Sequence, residues 1–342
     1  MSVTVISPDR APGPPGAREA ARKAPVPVSE LLTTLLPWAV LALLYLVLVL
    51  RVPNFLKAGP LSVLLYSITI LGVVAMGQLC VILIGGIDLS VSATMTLTNV
   101  VSAYLIGTTS NQYLFKAVVV SLLVGALVGV LNGLVITKLG LPDMIATLAM
   151  MTIVGGALLI FHKTHLKVGN SPALADFATK PFLGPIMPAA VVWMGLAVVL
   201  IVVLRKTTFG RQVYAVGLSR GAAHAAGISV MRTTIILYVI SGVCAAAAGV
   251  LLTGQLGGME LSSGNPYQLW SIAAVVLGGT SIFGGRGGYG STIAGVAIIV
   301  VLQNGLLNVL GIPTSAQNIL YGLVIIAMLV VFRLGSRGET TT

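Results

Sequence analysis

One carboxylate stands alone in a long apolar stretch. Asp88 is the only acid between Glu30 and Asp143, and it sits in Gly85-Gly86-Ile87-Asp88-Leu89-Ser90, which breaks two apolar runs. A carboxylate at membrane depth costs roughly 2.5–3.5 kcal/mol on insertion scales, so its presence there needs a cause. Two readings stay open. As an interfacial cap, Asp88 accepts hydrogen bonds from the N-terminal amides of the next helix; this is the preferred reading. As part of a pathway or its gate, Asp88 and Ser90 act on a solute directly, and Gly85 and Gly86 form a tight turn that exposes backbone. Asn99, Asn132 and Asn304 also lie inside apolar runs, as do Gln78 and Gln303. Buried amides hold helices together in lipid. As a set, with almost no intramembrane charge, they also suit a path for an uncharged, hydroxyl-rich solute better than one for an ion.

Other chemistries lack their residues. Gly285 to Gly290 spell a formal GxGxxG, but no Asp or Glu occurs between Glu260 and Glu339 to hold a ribose, and both flanks are apolar runs. The glycines Gly284, Gly285 and Gly287, with Arg286 as a positive anchor, read instead as a tight turn. No Gly-Lys dipeptide occurs anywhere, so a P-loop is absent. His162 and His165 have no close acid or Cys, and the two cysteines, Cys80 and Cys244, are far apart in apolar runs. Neither a metal site nor a redox pair is expected.

These residues must be positioned by membrane spans. The 342-residue chain is 57% apolar and 8% charged, against about 25% charged in soluble domains. Apolar runs near 20 residues recur, which predicts an all-α, polytopic membrane protein. The net charge of +11 does not point to nucleic acid, because the basic residues sit at the ends of apolar runs. About ten spans are expected, near 31–50, 61–84, 89–108, 115–137, 142–161, 187–204, 233–254, 268–284, 289–310 and 316–333, with the Gly-rich break at 268–310 open to a re-entrant reading. Residues 1–30, rich in Pro, Ala and Arg, read as a disordered cytoplasmic tail, and 334–342 as a second one. The run at 31–50 is longer than a signal-peptide core and is expected to stay in the mature protein. With the N-terminus inside, thirteen of the nineteen Lys and Arg fall in inward segments and six in outward ones, which favours cytoplasmic termini.

Two connections and one span then stand out. Residues 205–232 hold five basic residues and no acid, and the positive-inside rule places this island in the cytoplasm. At its centre, Gly221-Ala222-Ala223-His224-Ala225-Ala226-Gly227 reads as a short helix ended by glycine, a handle by which another protein moves the rest of the chain. On the other face, 162–187 is a solvated loop or a docking surface for an extracytoplasmic partner. In the fourth span, Gly125, Gly129 and Gly133 form a tandem GxxxG suited to close helix packing, within the molecule in preference to between subunits.

Several stretches together resemble permease subunits of bacterial ribose-type ABC importers, in the superfamily that also holds branched-chain amino acid permeases. Residues 81–91 are similar to the family's GGIDLSVG region. Ala215-Val216-Gly217, Ala222-Ala223 and Ala226-Gly227-Ile228 are similar to its cytoplasmic loop. Residues 272–281, with Gly278 and Gly279, then Gly284-Gly285-Arg286-Gly287, resemble its late signature, continued by Asn304-Gly305-Leu306-Leu307-Asn308. The resemblance covers roughly residues 60–333. Ser92 stands where the family has Gly, and Gln268-Leu269-Trp270 where it has Glu-Leu-Asp, which bears on the cargo more than on the transport class.

The resemblance implies a permease domain over 31–333 in the bacterial inner membrane, with helices broken at the Gly-rich turns. It implies an ATPase subunit that binds ATP and Mg, so that this chain carries no cofactor and is not an enzyme. A sugar-binding protein outside and a second permease copy or sister permease are implied too. Arg220, Gly221, Ala222, Ala223, His224, Ala226, Gly227 and Ile228 then form the coupling segment, with Gly221 where a Glu often stands. The expected cargo is a monosaccharide, a ribose-like pentose or a hexose, moved by alternating access. Two other functions compete. Import of branched-chain amino acids calls for charged groups along the path, and an ATP-independent secondary transporter calls for ionisable residues within the spans, where only Asp88 qualifies.

Overall fold

The computed structural model describes residues 28–52, 55–107, 110–162, 169–303, 316, 319, 322 and 323. Within these the fold is helical: α1 (Val28–Arg51), α2 (Ala58–Leu83), α3 (Val91–Ile106), α4 (Leu114–Lys138), α5 (Asp143–His162), α6 (Pro172–Thr179), α7 (Pro188–Lys206), α8 (Thr208–Leu218), α9 (Arg220–Ala225), α10 (Val230–Leu256), α11 (Asn265–Leu277) and α12 (Tyr289–Val300). Nine of these helices overlap the first nine expected spans, of which the ninth runs on at 304–310 outside the described residues. The tenth span and the C-terminal tail lie outside the described residues apart from four positions, and so does the N-terminal tail before Val28. Among the described residues α2, α4, α7 and α10 are long and apolar enough to cross a membrane. At 27 residues, α10 extends roughly 40 Å at 1.5 Å per residue, against ~30 Å of hydrocarbon. The 13 residues of α11 extend only about 20 Å, so α11 does not cross alone.

The core is built around α2 and α10. Nearly every residue of α2 from Thr69 onward is buried, as a helix apolar on all sides must be when others surround it. α10 packs against α4, α2 and α3. The tandem glycines of α4 explain how close it comes. A Cβ at Gly129 would collide with the carbonyl of Tyr238 and lie 2.6 Å from Val239 Cα, and one at Gly133 would lie 2.8 Å from Ile235 Cα. Gly125 faces Gly242 in the same way. The GxxxG face is thus spent inside the molecule, by backbone contact of the kind small residues allow. A second tie crosses the bundle where Trp193 of α7 donates to the Tyr289 hydroxyl (2.8 Å), which donates to Gly72 O of α2 (2.8 Å).

Both special connections contain more helix than expected. The loop at 162–187 contains α6, N-capped by Ser171. The basic island contains two helices in place of one, because Thr207 and Ser219 each cap a separate start.

Candidate functional site: a polar seam and a basic handle

The Gly85 turn brings Asp88 inside. α2 ends at Leu83, and Gly85 takes a positive φ of 76°. Residues 87–90 then run without helix into α3. Asp88 is 2% exposed. Its carboxylate accepts the Ser90 N–H (2.9 Å) and the hydroxyls of Ser90 (2.6 Å) and Ser241 of α10 (2.8 Å). Ser90 Oγ in turn accepts from Asn132 Nδ2 of α4 (2.8 Å). The expected capping of α3 by Asp88 is therefore corrected. Ser90 is the N-cap of α3 and makes no side-chain capping bond, and Asp88 holds the amide of that N-cap residue rather than those of the first turn. It is also buried within the bundle. Three neutral donors, two from Ser90 and one from Ser241 of α10, surround this buried carboxylate, as burial of such a group requires.

The seam continues along α3. Asn99 Nδ2 donates to Thr253 Oγ1 of α10 (2.9 Å) and to Gly258 O (3.1 Å), while its Oδ1 accepts the Glu260 N–H (2.9 Å). Thr96 Oγ1 accepts the Gly264 N–H (3.0 Å), and Ser92 Oγ reaches Gln268 Oε1 of α11 (3.3 Å). These bonds fix the path of 257–264. After α10 ends, the chain runs back along α3 by about two turns, and α11 starts beside the first turns of α3. The chain therefore doubles back inside the bundle at 257–264. Irregular backbone is tolerated at such a place only when protein satisfies it, which Asn99 and Thr96 do. Beside the two helix starts lies a cavity of about 180 Å³, lined by Ser92, Thr96 and Asn265 on one side and by Met151, Gly155 and Leu158 on the other. Ser92, Thr96, Thr253 and Asn265 were not among the expected path residues. Their signal was the spacing Ser92, Thr96, Asn99, which puts three polar groups on one face of α3. Asn304 lies outside the described residues.

At the basic end, α7 finishes on Arg205 and Lys206, and Thr207 caps α8 by accepting the Gly210 N–H (3.2 Å). α8 buries Val213 and Val216. Ser219 then caps α9 by accepting the Ala222 N–H (3.2 Å). α9 closes where Gly227, at φ 80°, donates to His224 O (2.9 Å) and Ile228 donates to Ala223 O (3.0 Å). This is the glycine-ended pattern the sequence implied. The eight expected coupling residues divide by direction. Gly221, Ala222, His224, Ala226 and Gly227 are exposed, whereas Ala223 is buried and Ile228 packs on the core. Arg220 reaches inward to Asp143 at the start of α5, Nη2 to Oδ2 3.1 Å.

Three turns meet beneath this handle. The Gly285 N–H, in the turn between α11 and α12, donates to Leu83 O at the end of α2 (2.9 Å). Gly217, at the end of α8, sits over that bond so closely that a Cβ would collide with Leu83 O and lie 2.5 Å from Gly285 N. Gly284 and Gly285 both take positive φ, 85° and 74°. The same turn contains Gly278, Gly279 and Gly287 and is closed by Ser281 N–H to Arg286 O (3.0 Å), with Arg286 exposed. Tyr214 of α8 donates its hydroxyl to Gly287 O (2.8 Å). Gly86 lies next to both Asp143 Oδ2 and the Tyr238 hydroxyl, each 2.9 Å from where its Cβ would stand. The handle therefore touches the start of α5 through a charge pair. It touches the turn that carries Asp88 through backbone.

A helical bundle with four helices long and apolar enough to span, joined by a buried polar seam, is the architecture of a multi-pass membrane protein. The chain belongs to the family described as branched-chain amino acid transport system / permease component, which matches residues 61–329. It is a permease component of a transport system, not an enzyme. It is 38% identical over 293 residues to a ribose import permease protein of Bacillus subtilis (strain 168), covering 85% of this chain and 89% of that protein. A D-allose transport system permease protein of Escherichia coli (strain K12) is 34% identical, covering 79% and 82%. An L-arabinose transport system permease protein of the same strain is 33% identical, covering 88% and 91%. No solved structure matches the chain.

Proposed function

We propose that this chain is the membrane-spanning subunit of an ATP-driven ABC importer that carries a monosaccharide across a bacterial inner membrane. The observation that carries this reading is that relatives aligned over most of both chains are named for ribose import and for D-allose and L-arabinose transport, all neutral polyhydroxylated sugars. The cavity supports it, because Ser92, Thr96 and Asn265 line it with hydroxyls and an amide and no fixed charge. A second reading, import of a branched-chain amino acid, draws on the family description. A zwitterion calls for paired charges along the path, and the seam's one ionisable group, Asp88, is already held by Ser90 and Ser241.

In this reading the basic end faces the cytoplasm and both termini lie there. An ATPase subunit, which binds ATP and Mg, grips α9 through Gly221, Ala222, His224 and Ala226. A sugar-binding protein delivers cargo to the opposite face, and a second permease, identical or a sister chain, completes the path within the lipid. ATP binding moves α9, and the movement passes by Arg220 and Asp143 to α5 and by Gly217 to the turn below Asp88. The cargo meets the cavity between the starts of α3 and α11. Such a shift needs a ligand that binds the two states unequally, which ATP at the partner provides.

The test is uptake by the assembled transporter in proteoliposomes, with labelled ribose, allose, arabinose and leucine. ATP-dependent uptake of a sugar and none of leucine is expected. Uptake that persists without the ATPase subunit, or uptake of leucine alone, would overturn the reading.

A further inference from the structure

The turn between α11 and α12 carries Phe283, 92% exposed and the most exposed large apolar side chain among the described residues. Its backbone is held in place. Phe283 N–H donates to Ser281 Oγ (3.3 Å), Gly284 N–H to Ser281 O (3.1 Å), and Gly285 N–H to Leu83 O (2.9 Å). A fixed turn that presents a bare aromatic ring has a surface to cover. Lipid tails do not suit it, because the turn is irregular backbone with Arg286 and Gly287 exposed, and hydrocarbon does not host open backbone. Phe115 and Leu50, also strongly exposed, differ in lying on long apolar helices that lipid can cover.

The patch is larger than one residue. Leu218, the last residue of α8, is 67% exposed. Its side chain packs on Gly285, where a Cβ would lie 2.7 Å from Leu218 Cδ2. Leu218 is followed at once by Ser219, the cap of α9. Leu218 thus joins the Phe283 turn to α9, with exposed Arg286 beside Phe283 and Arg220, partly exposed and paired with Asp143, at the start of α9.

We infer that Phe283 and Leu218 are a second anchor for the ATPase subunit, seated in an apolar pocket of that subunit with an acidic rim. The inference rests on the reading that the ATPase docks on α9 and extends the footprint to the turn between α11 and α12. Aromatic side chains at the centre of an interface carry a large share of its binding energy, and a ring on a rigid turn loses little freedom on docking. The second anchor also changes how force enters the bundle. The Phe283 turn is bonded through Gly285 to Leu83, two residues before the glycine pair that leads to Asp88. An ATPase holding both α9 and Phe283 thus grips the ends of α8, α2 and α11 together.

The test uses the full permease–ATPase complex with a photo-crosslinking benzoylphenylalanine placed singly at position 283 or 222. Crosslinks to the ATPase from both positions are expected. Position 222 crosslinking without 283, or 283 crosslinking only to lipid, would overturn the second anchor and leave docking on α9 intact. Neither position crosslinking would remove both. In parallel, Phe283→Ala should weaken the ATPase–permease affinity roughly tenfold or more, Phe283→Leu should restore part of it, and Phe115→Ala at the opposite end should leave it unchanged. Because Phe283 is so exposed, the thermal stability of the isolated permease should not move. Unaltered affinity in Phe283→Ala would sink the proposal.

Discussion

Two glycines four residues apart should respond oppositely to a single methyl group. At Gly217 an added Cβ would collide with Leu83 O and stand 2.5 Å from Gly285 N, across the 2.9 Å hydrogen bond that joins them. Relief requires the end of α8 to lift or the bond to break. Leaving a buried carbonyl or amide unpaired costs ~1–3 kcal/mol, and forcing extra volume into a packed site costs ~1–3 kcal/mol. Gly217→Ala should therefore destabilise the permease by about 1–3 kcal/mol whichever way the clash is relieved. At Gly221, within α9, a Cβ meets nothing within 4 Å, and replacing a helical glycine by alanine gains up to ~1 kcal/mol. Gly221→Ala should be neutral or slightly stabilising. The assay is the free energy of unfolding of the purified chain, titrated with sodium dodecyl sulfate in mixed micelles. If Gly217→Ala lies within about 0.5 kcal/mol of wild type, close approach of the three turns does not hold them together, and the reasoning fails at its root.

The same titration checks two further predictions. Asp88→Ala strands three donors, the Ser90 amide and the hydroxyls of Ser90 and Ser241, so it should cost roughly 3–5 kcal/mol, with Ser241→Ala near 1–2 kcal/mol; equal costs for the two would show that the carboxylate is not the hub. Gly129→Val puts a branched side chain against the backbone of Tyr238 and Val239 and should cost about 2–4 kcal/mol, whereas Gly156→Val on α5 enters open space and should be neutral.

Much of the fold was legible because a membrane span writes itself as an apolar run of fixed length. The starts and ends of α2, α4 and α10 follow from that rule. The basic handle was legible for the same reason, since five cations between two apolar runs have to be wet. Its division into α8 and α9 was less so, although Thr207 and Ser219 are ordinary capping residues with an amphipathic stripe (Phe209, Val213, Val216) between them. The descent of 257–264 along α3 was not read. It has no apolar period, and its position is fixed by bonds to Asn99 and Thr96, about 160 residues away in sequence. The junction of Gly217, Gly285 and Leu83 was hidden more deeply, because backbone meeting backbone leaves no trace except glycine. Asp88 shows the limit from the other side. The sequence marked it as costly, but only the structure supplied Ser241, its hydrogen-bond partner on α10.

The central claim is that α9 is the point where an ATPase moves this permease. Ala222 tests it directly, because its side chain is exposed, whereas Ala223 is buried and would confound folding with docking. The measurement is ATP-dependent sugar uptake by Ala222→Trp in proteoliposomes, beside the unfolding free energy of the same variant. The account predicts that uptake falls at least about tenfold, as for the loss of a central interface contact, with stability unchanged. Undiminished uptake with tryptophan at position 222 would contradict it.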